Sequence, residues 1–539
     1  MAIEARPSVY LTFAAAAGRW AERPFLHAPA DAIGEPLPFA QSFADAAGAV
    51  EVLRAAYNEQ GYGKGYRIGL ALDNHPAFFL HFLSLNALGA SVVPLNTAMR
   101  PEEMAPIVAA ADLDAIVAWP KHRVMLDSTQ TLSDTNIPIA EPSLADLPRA
   151  VRAGCGDETP DADREAAMLF TSGTTGKPKG CILSNAYFTW VGHFYATLGG
   201  YCEFREGEDR ILTPLPVNHM NALACSFMAA MMTGSCLIQL DRFHASRWWD
   251  TVRETRASVI HYLGVMPAIL LQREDETADL AVRFGFGAGV DPRHHARFEE
   301  RFGFPLIEAW AMTETGAAAW ITANREPRHV GTRCFGRAPD HLEVRIAGDT
   351  GADVPDGEPG ELLVRARGGD PRRHFFSGYY RDPAATEAAW EGGWFHTGDI
   401  VKRDAEGNFF FVDRSKNIVR RSGENIAAVE VEGVLMQHAS VSACAVLPIE
   451  DELRGEEVMA LVQTDHGAGS ETLAIDLVKH CLERLAYFKA PGYIAFVDHL
   501  PTTASQKLQR GEIRSLGRAL HAKGKAFDVR ALKRGPKAA

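Results

Sequence analysis

Short apolar runs alternate with amphipathic stretches through most of the first 412 residues. Ile68–Leu72, Ser91–Pro94, Ala115–Ala118, Ala167–Phe170 and Val259–Leu263 are short, apolar and often β-branched, which predicts buried strands. Pro101–Ala111 and Arg247–Arg256 carry the helical period between some of them, and Phe43–Tyr57 precedes the first. That alternation predicts parallel α/β units with ligands at the carboxyl ends of the strands. Glu361–Arg365 and Asn408–Asp413, flanked by Gly and Asp turns, predict antiparallel β structure instead. Beyond Asp413 the pattern restarts on a smaller scale: Ala427–Gln437 and Leu473–Leu485 read as helices, Val441–Pro448 and Glu457–Gln463 as strands. The expected fold class is therefore α/β. A large N-terminal domain (1–412) has mixed sheets, flanking helices and a β-subdomain, and a small C-terminal α+β domain (418–539) follows a polar link at 413–417.

Two uncharged runs, His75–Met99 and Ile211–Leu240, are long enough to raise the question of a membrane span. The first contains His75, His81, Asn86 and Pro94 and breaks at Gly89. The second contains Pro214, Pro216, Asn218, His219 and Asn221. Such polar and helix-breaking residues fit a buried core better than lipid, so no membrane span is expected. At 539 residues the chain exceeds a single hydrophobic core. Its net charge of −13 argues against nucleic acid or an anionic membrane as a general partner. The basic residues near the end (Lys523, Lys525, Arg530, Lys533, Arg534, Lys537) read as a solvated tail. Eight scattered cysteines without a Cys-x-x-Cys pair, and an N-terminus without a secretory pattern, lead us to expect reduced thiols and a cytoplasmic protein.

The chemistry concentrates first at Phe170–Gly180. Thr171, Ser172, Thr174 and Thr175 supply hydroxyls, Gly173, Gly176 and Gly180 a permissive backbone, and Lys177 and Lys179 positive charge. Such a loop can cradle a polyphosphate. Pro178 after Lys177 removes the hydroxyl and the helix that a Walker A loop requires. The segment resembles, residue by residue, the phosphate loop of adenylate-forming enzymes, the superfamily of acyl-CoA synthetases, luciferases and peptide-synthetase adenylation domains.

Four further segments carry the resemblance in the family's order. Ile307–Gly316 resembles the family's Tyr-Gly-x-Thr-Glu motif, which implies Trp310 on adenine, Thr313 on phosphate and Glu314 on Mg2+. Trp310 stands where Tyr is usual, and Ala311 where Gly is usual, adding a methyl group toward the acyl channel. Gly393–Asp399 matches Gly-Trp-x-x-Thr-Gly-Asp, which implies that Asp399 accepts from the ribose hydroxyls. Arg414 resembles the arginine that reaches the ribose or phosphate, and Lys416 falls at the family's hinge. Arg420–Ile426 resembles the thiolation loop, with Arg420, Gly423 and Glu424 implied on the CoA side. Pro501–Arg510 resembles the adenylation loop, so Lys507 aligns with the lysine bridging the acid and the α-phosphate, although Gln506 replaces the usual Gly.

Within the resemblance, His219 matches an aromatic or His gate beside the acyl pocket, a role weighed equally against that of a structural histidine. Gly285–Gly289 fails the dinucleotide pattern because Val290 stands where its last Gly belongs. Its Gly287, Ala288 and Gly289 correspond to the wall of the adenine and acyl pockets. The resemblance implies an ATP-dependent acyl-CoA ligase that uses ATP, Mg2+ and CoA, with a mobile C-terminal lid and a possible homodimer. Catalysis would rest on Lys507, Glu314, Thr313 and His219. The segment Asp413–Glu430 is similar to the branch of crotonobetaine/carnitine-CoA ligases and medium-chain or aromatic acyl-CoA synthetases. A mainly apolar acid is expected, because Pro216–Leu223 lacks the Asp that binds an amino-acid ammonium in peptide synthetases. Loading of a carrier-protein thiol is the enzymatic alternative, and a non-catalytic nucleotide-binding module is the alternative of another class.

Overall fold

The computed structural model describes residues 6–33, 37–151, 161–172, 178–274, 279–348, 351–414, 418–422, 424–464, 469–501 and 510–533. Their backbone packs as two compact units. One comprises Met1–Thr97, Val108–Thr171 and Gly180–Asp413; the other comprises Ala98–Ile107, Ser172–Lys179 and Arg414–Ala539.

In the first unit a thirteen-stranded sheet changes character halfway across. Pro24–Ala28, Cys236–Gln239, Arg210–Thr213, Val259–Leu263, Phe284–Ala288 and Leu306–Trp310 lie side by side and parallel. From Leu306–Trp310 outward the neighbours Ile321–Thr322, Cys334–Arg337 and Asn408–Arg414 are antiparallel, as are Phe395–Arg403, Gly360–Ala366 and Leu342–Ala347. Leu306–Trp310 is thus the seam between an α/β half and an all-antiparallel half, and its carboxyl end opens where the topology changes. A seven-stranded sheet built around Arg67–Ala71, Ser91–Pro94 and Ala115–Ala118 completes this unit.

The two uncharged runs are core. Pro76–Ala87 is a helix buried on almost every side, and Ser91–Pro94 is the strand that follows it. The second run supplies two parallel strands and the buried helix Phe227–Thr233. No helix among the described residues is long and apolar enough to cross a membrane. Phe43–Glu59 begins at a reciprocal cap, in which Ser42 and Asp45 each bond the other's backbone N–H. The cysteines among the described residues are buried and form no disulfide with one another.

The second unit carries a six-stranded sheet in which Gly455–Gln463 pairs with Ala443–Asp451, Ile418–Arg421 and Tyr493–Phe496. Here the expectation of a solvated basic tail holds for Lys523 and Lys525, which are exposed, and fails for Arg530 and Lys533, while Arg534 and Lys537 lie outside the described residues. Arg530 bonds Asp451 and Asp528, and the Lys533 side chain is buried against Glu457. The terminus is recruited because Glu457, itself fully buried, needs cationic partners. Burial and the nearby Arg421 charge pull the Lys533 ammonium down to about 7, with Glu457 opposing them.

Candidate active site

Trp310 ends the seam strand, and its Nε1–H donates to Asp399 Oδ2 at 2.9 Å, with both side chains buried. The bond joins two motifs 89 residues apart in sequence. Asp399 reaches this position through an irregular register in Phe395–Arg403, whose pairing with Gly360–Ala366 shifts between Glu361 and Leu363. Gly398 supplies the left-handed backbone there (φ +68), and its N–H donates to Glu361. Thr397 Oγ1 accepts from the Asp399 N–H and donates to the Leu362 carbonyl. The indole that replaces the usual Tyr therefore holds the carboxylate expected to bind ribose.

Just beyond Trp310 the chain leaves the sheet and turns into the short 3-10 helix Gly316–Ala319. Thr315 Oγ1 closes this turn by accepting from the Met312 N–H. The Thr313 hydroxyl has no partner among the described residues, while its carbonyl accepts from Tyr187 OH at 2.9 Å. Gly316 lies against the Tyr187 ring, and a Cβ there would fall 2.4 Å from a ring carbon. Glu314 is buried; its Oε1 accepts from Tyr379 OH at 3.0 Å and its Oε2 has no partner among the described residues. Burial, followed by the Glu314 charge, drives the Tyr379 phenol far above its ordinary range, so it stays a donor. A carboxylate with one oxygen oriented and the other available fits a hard divalent ion. Among the described residues no group of three or more His, Cys, Asp or Glu stands where it could hold a metal ion.

The Gly287–Gly289 wall is fixed from behind. Glu308 Oε2 accepts from the Gly289 N–H (2.9 Å), and Oε1 from the Val290 N–H (3.2 Å) and Tyr262 OH (2.8 Å). Burial raises the Glu308 carboxyl above its usual range. A Cβ on Gly287 would sit 2.2 Å from the Tyr262 carbonyl, so this glycine serves close strand packing. Ala288 closes the parallel pairing opposite Leu263, and Ala311 is half-buried against the main core. His219 bonds through its backbone to Pro216 and Leu223 and stands just before a π-helical turn, Asn221–Ser226. Glu308, Tyr187 and Tyr379 were not singled out from the sequence. Glu308 lies inside a motif that was read only for Trp310, Thr313 and Glu314, and the tyrosines act through hydroxyls that no spacing announces.

Of the phosphate loop, Thr171 is described at the end of its strand, with its hydroxyl 3.8 Å from Cys181 Sγ. Lys179 lies on the next strand, Pro178–Ser184, followed by Gly180, where a Cβ would meet Met168 Sδ at 2.7 Å. Gly173, Thr174, Thr175, Gly176 and Lys177 lie outside the described residues, as do Lys416, Gly423, Lys507 and the side chains of Ser172 and Arg414. In the second unit, Arg420 and Glu424 lie on the antiparallel pair Ile418–Arg421 and Glu424–Ala427. That hairpin is anchored by Arg421, whose Nε donates to both Glu457 oxygens at 2.9 Å. Glu430 follows it and accepts from Lys489 Nζ at 2.8 Å.

Residues 13–380 match the family model described as AMP-binding enzyme, and residues 430–507 match the AMP-binding enzyme C-terminal domain. A sulfoacetate–CoA ligase of Cupriavidus necator is 30% identical over 518 residues, covering 94% of this chain and 97% of that protein. A crotonobetaine/carnitine–CoA ligase of Citrobacter koseri is 30% identical over 466 residues, covering 83% and 88%. Among solved structures, o-succinylbenzoate CoA synthetase of Bacillus subtilis superposes with a TM-score of 0.79 at 23% identity, covering 95% of this chain and 98% of that one. The amide bond synthetase McbA of Marinactinospora thermotolerans gives 0.75 at 25% identity, covering 88% and 95%.

Proposed function

The chain belongs to the AMP-binding enzyme family and is an ATP-dependent acyl-CoA ligase, and from that premise we propose how its residues divide the work. The observation that supports the reading is the Trp310–Asp399 hydrogen bond, which joins the residues we assign to adenine and to ribose, from two separate motifs, in one buried corner. Asp399 accepts from the ribose hydroxyls, and Arg414 donates to the ribose or phosphate. Trp310 lies against adenine, and Thr313 donates to phosphate together with the hydroxyls, amides and lysines of 171–179. Glu314 holds Mg2+, which neutralises triphosphate charge when bound.

The acid's carboxylate oxygen attacks the α-phosphorus, forming an acyl-adenylate and expelling pyrophosphate. Lys507 offsets the charge that builds as the two anions meet. The CoA thiolate then attacks the acyl carbon and AMP leaves, with Arg420, Gly423 and Glu424 on the thiol side. Residues 1–412 bind ATP and acid, and 418–539 form a lid that turns about Lys416. The acid has a mainly apolar tail beside His219, Gly287, Ala288, Gly289 and Ala311.

The test is pyrophosphate release over a carboxylic acid panel, with and without CoA. Acid-dependent release and CoA-dependent thioester are expected. Release in which CoA never becomes acylated would overturn the thiol assignment in favour of a carrier-protein acceptor.

A further inference from the structure

Behind the segment that carries His219 lies a buried polar chain that the ligase chemistry leaves unused. His261, in the middle of the parallel strand Val259–Leu263 and opposite Phe286, is fully buried. Its Nε2 is 2.9 Å from Tyr195 OH, and its Nδ1 is 2.8 Å from both Ser226 Oγ and Asn221 Oδ1. Burial lowers its pKa to about 3, so the ring is neutral and carries one proton. Ser226 OH donates to the Asn221 carbonyl at 3.2 Å, which leaves Ser226 Oγ as an acceptor toward the ring. The single proton therefore sits on Nδ1, shared between Ser226 Oγ and Asn221 Oδ1, while Tyr195 OH donates to Nε2.

This arrangement fixes the sense of the Asn221 amide. With Oδ1 turned to the histidine, Nδ2 faces away from it and has no partner among the described residues. Within the π-helical turn Asn221–Ser226, Asn221 is the one residue that is not buried. The turn leaves the carboxyl-end side of Arg210–Thr213, the side on which a parallel sheet binds ligand. Interruptions of this kind recur at functional sites.

We propose that Asn221 is a specificity-determining donor of the acid site, presenting Nδ2 to an oxygen acceptor on the tail of the acid, and that Tyr195 and His261 are positioning residues that hold it in that sense. The substrate class is then a carboxylic acid with a mainly apolar body and one carbonyl, ether or hydroxyl oxygen. This inference rests on the ligase reading above. An amide donor facing a methylene would lose its hydration without compensation, so an oxygen at the matching position gains in selectivity.

The probes are pairs of acids of equal length in which one methylene is replaced by an ether oxygen or a carbonyl, the replaced position being moved along the chain. Acyl-adenylate formation is read as pyrophosphate release. At one position the wild type should favour the oxygenated acid by about tenfold or more in kcat/KM. Asn221→Leu should abolish or invert that ratio, and Tyr195→Phe should reduce it. The ratio is the informative quantity, because mere structural damage lowers both members of a pair together. A wild type that prefers the all-carbon acid at every position would overturn the proposal, as would a ratio that Asn221→Leu leaves unchanged. Pyrophosphate release from no acid at all would overturn the ligase reading, and this inference with it.

Discussion

Replacing Trp310 by Phe keeps an aromatic face but deletes the Nε1–H that donates to Asp399, together with part of the bicyclic ring. Both side chains are buried, at 7% and 1% exposure, so water cannot readily replace the lost donor. A hydrogen bond to a charged acceptor contributes about 1.5–3 kcal/mol, equivalent to about 10–150-fold in an equilibrium constant. Part of that loss falls on the free enzyme as stability and part on ATP binding as misorientation of the carboxylate. The expected rise in KM for ATP is therefore about 5–20-fold, accompanied by a lower melting temperature. The diagnostic comparison sets ATP against 2′,3′-dideoxy-ATP in the adenylation half-reaction. Wild type should discriminate strongly, because the dideoxy sugar offers nothing to Asp399. Trp310→Phe should keep only part of that discrimination, and Asp399→Asn should lose more. A mutant with a lower melting temperature but undiminished ribose discrimination would refute the argument, since the bond would then be structural only.

Five other substitutions probe separate parts of the molecule. Lys507→Ala should slow acyl-adenylate formation by roughly 10²–10³ and spare CoA attack on preformed acyl-adenylate, whereas Gly423→Leu should do the reverse; loss of the same half-reaction in both would refute the two-loop assignment. Glu457→Gln should loosen the hairpin that Arg421 anchors, depressing thioester formation several-fold while pyrophosphate release with acid alone persists; equal loss in both assays would count against a positioning role. Ala311→Gly should improve kcat/KM on bulkier acids, by about 1–3 kcal/mol at most, with KM for ATP constant; an unchanged chain-length profile would remove Ala311 from the acid channel. Glu299 is half-buried, which raises its pKa, yet hydrogen bonds from Arg328, His295 and the Leu306 N–H hold its carboxyl down at about 2. Its folded pKa lies below the unfolded value, so its contribution is present above about pH 4.5 and is lost as pH falls toward 2. Glu299→Gln should cost about 2 kcal/mol at neutral pH and flatten the acid limb of a denaturation-versus-pH curve. An acid limb as steep as that of wild type would contradict this account.

What was legible in the sequence follows from which interactions leave a local trace. Strand and helix periods are local, so Ser91–Pro94, Ala115–Ala118 and Val259–Leu263 fall exactly on the expected residues. Arg67–Ala71 is shifted by one residue at each end from the expected Ile68–Leu72, and Glu165–Ser172 extends past the expected apolar run at both ends. Motif spacing carried Trp310, Thr313, Glu314 and Asp399 because each lies within a few residues of its motif partners. The Trp310–Asp399 bond itself was not legible, since neither motif records which atom of the other it meets. The recruitment of Lys533 to Glu457 was missed for a related reason. A basic tail looks solvated until a buried carboxylate elsewhere in the chain gives it a partner.

The same asymmetry explains why the acid pocket was read as simply apolar. Tyr195, Ser226 and His261 lie in runs dominated by apolar residues, and their polar atoms satisfy one another across 35 to 66 positions of sequence. Such a chain is invisible to hydropathy because its net demand on solvent is nearly zero. A buried proton network nevertheless has a direction, set by which nitrogen carries the hydrogen. Here the direction runs from the Tyr195 hydroxyl through the ring to the Asn221 carbonyl oxygen, and it ends by fixing which side of one amide is left to meet a ligand. Residue identity along the strand sets the tautomer, the tautomer sets the orientation of the amide, and the orientation sets what kind of acid the enzyme prefers.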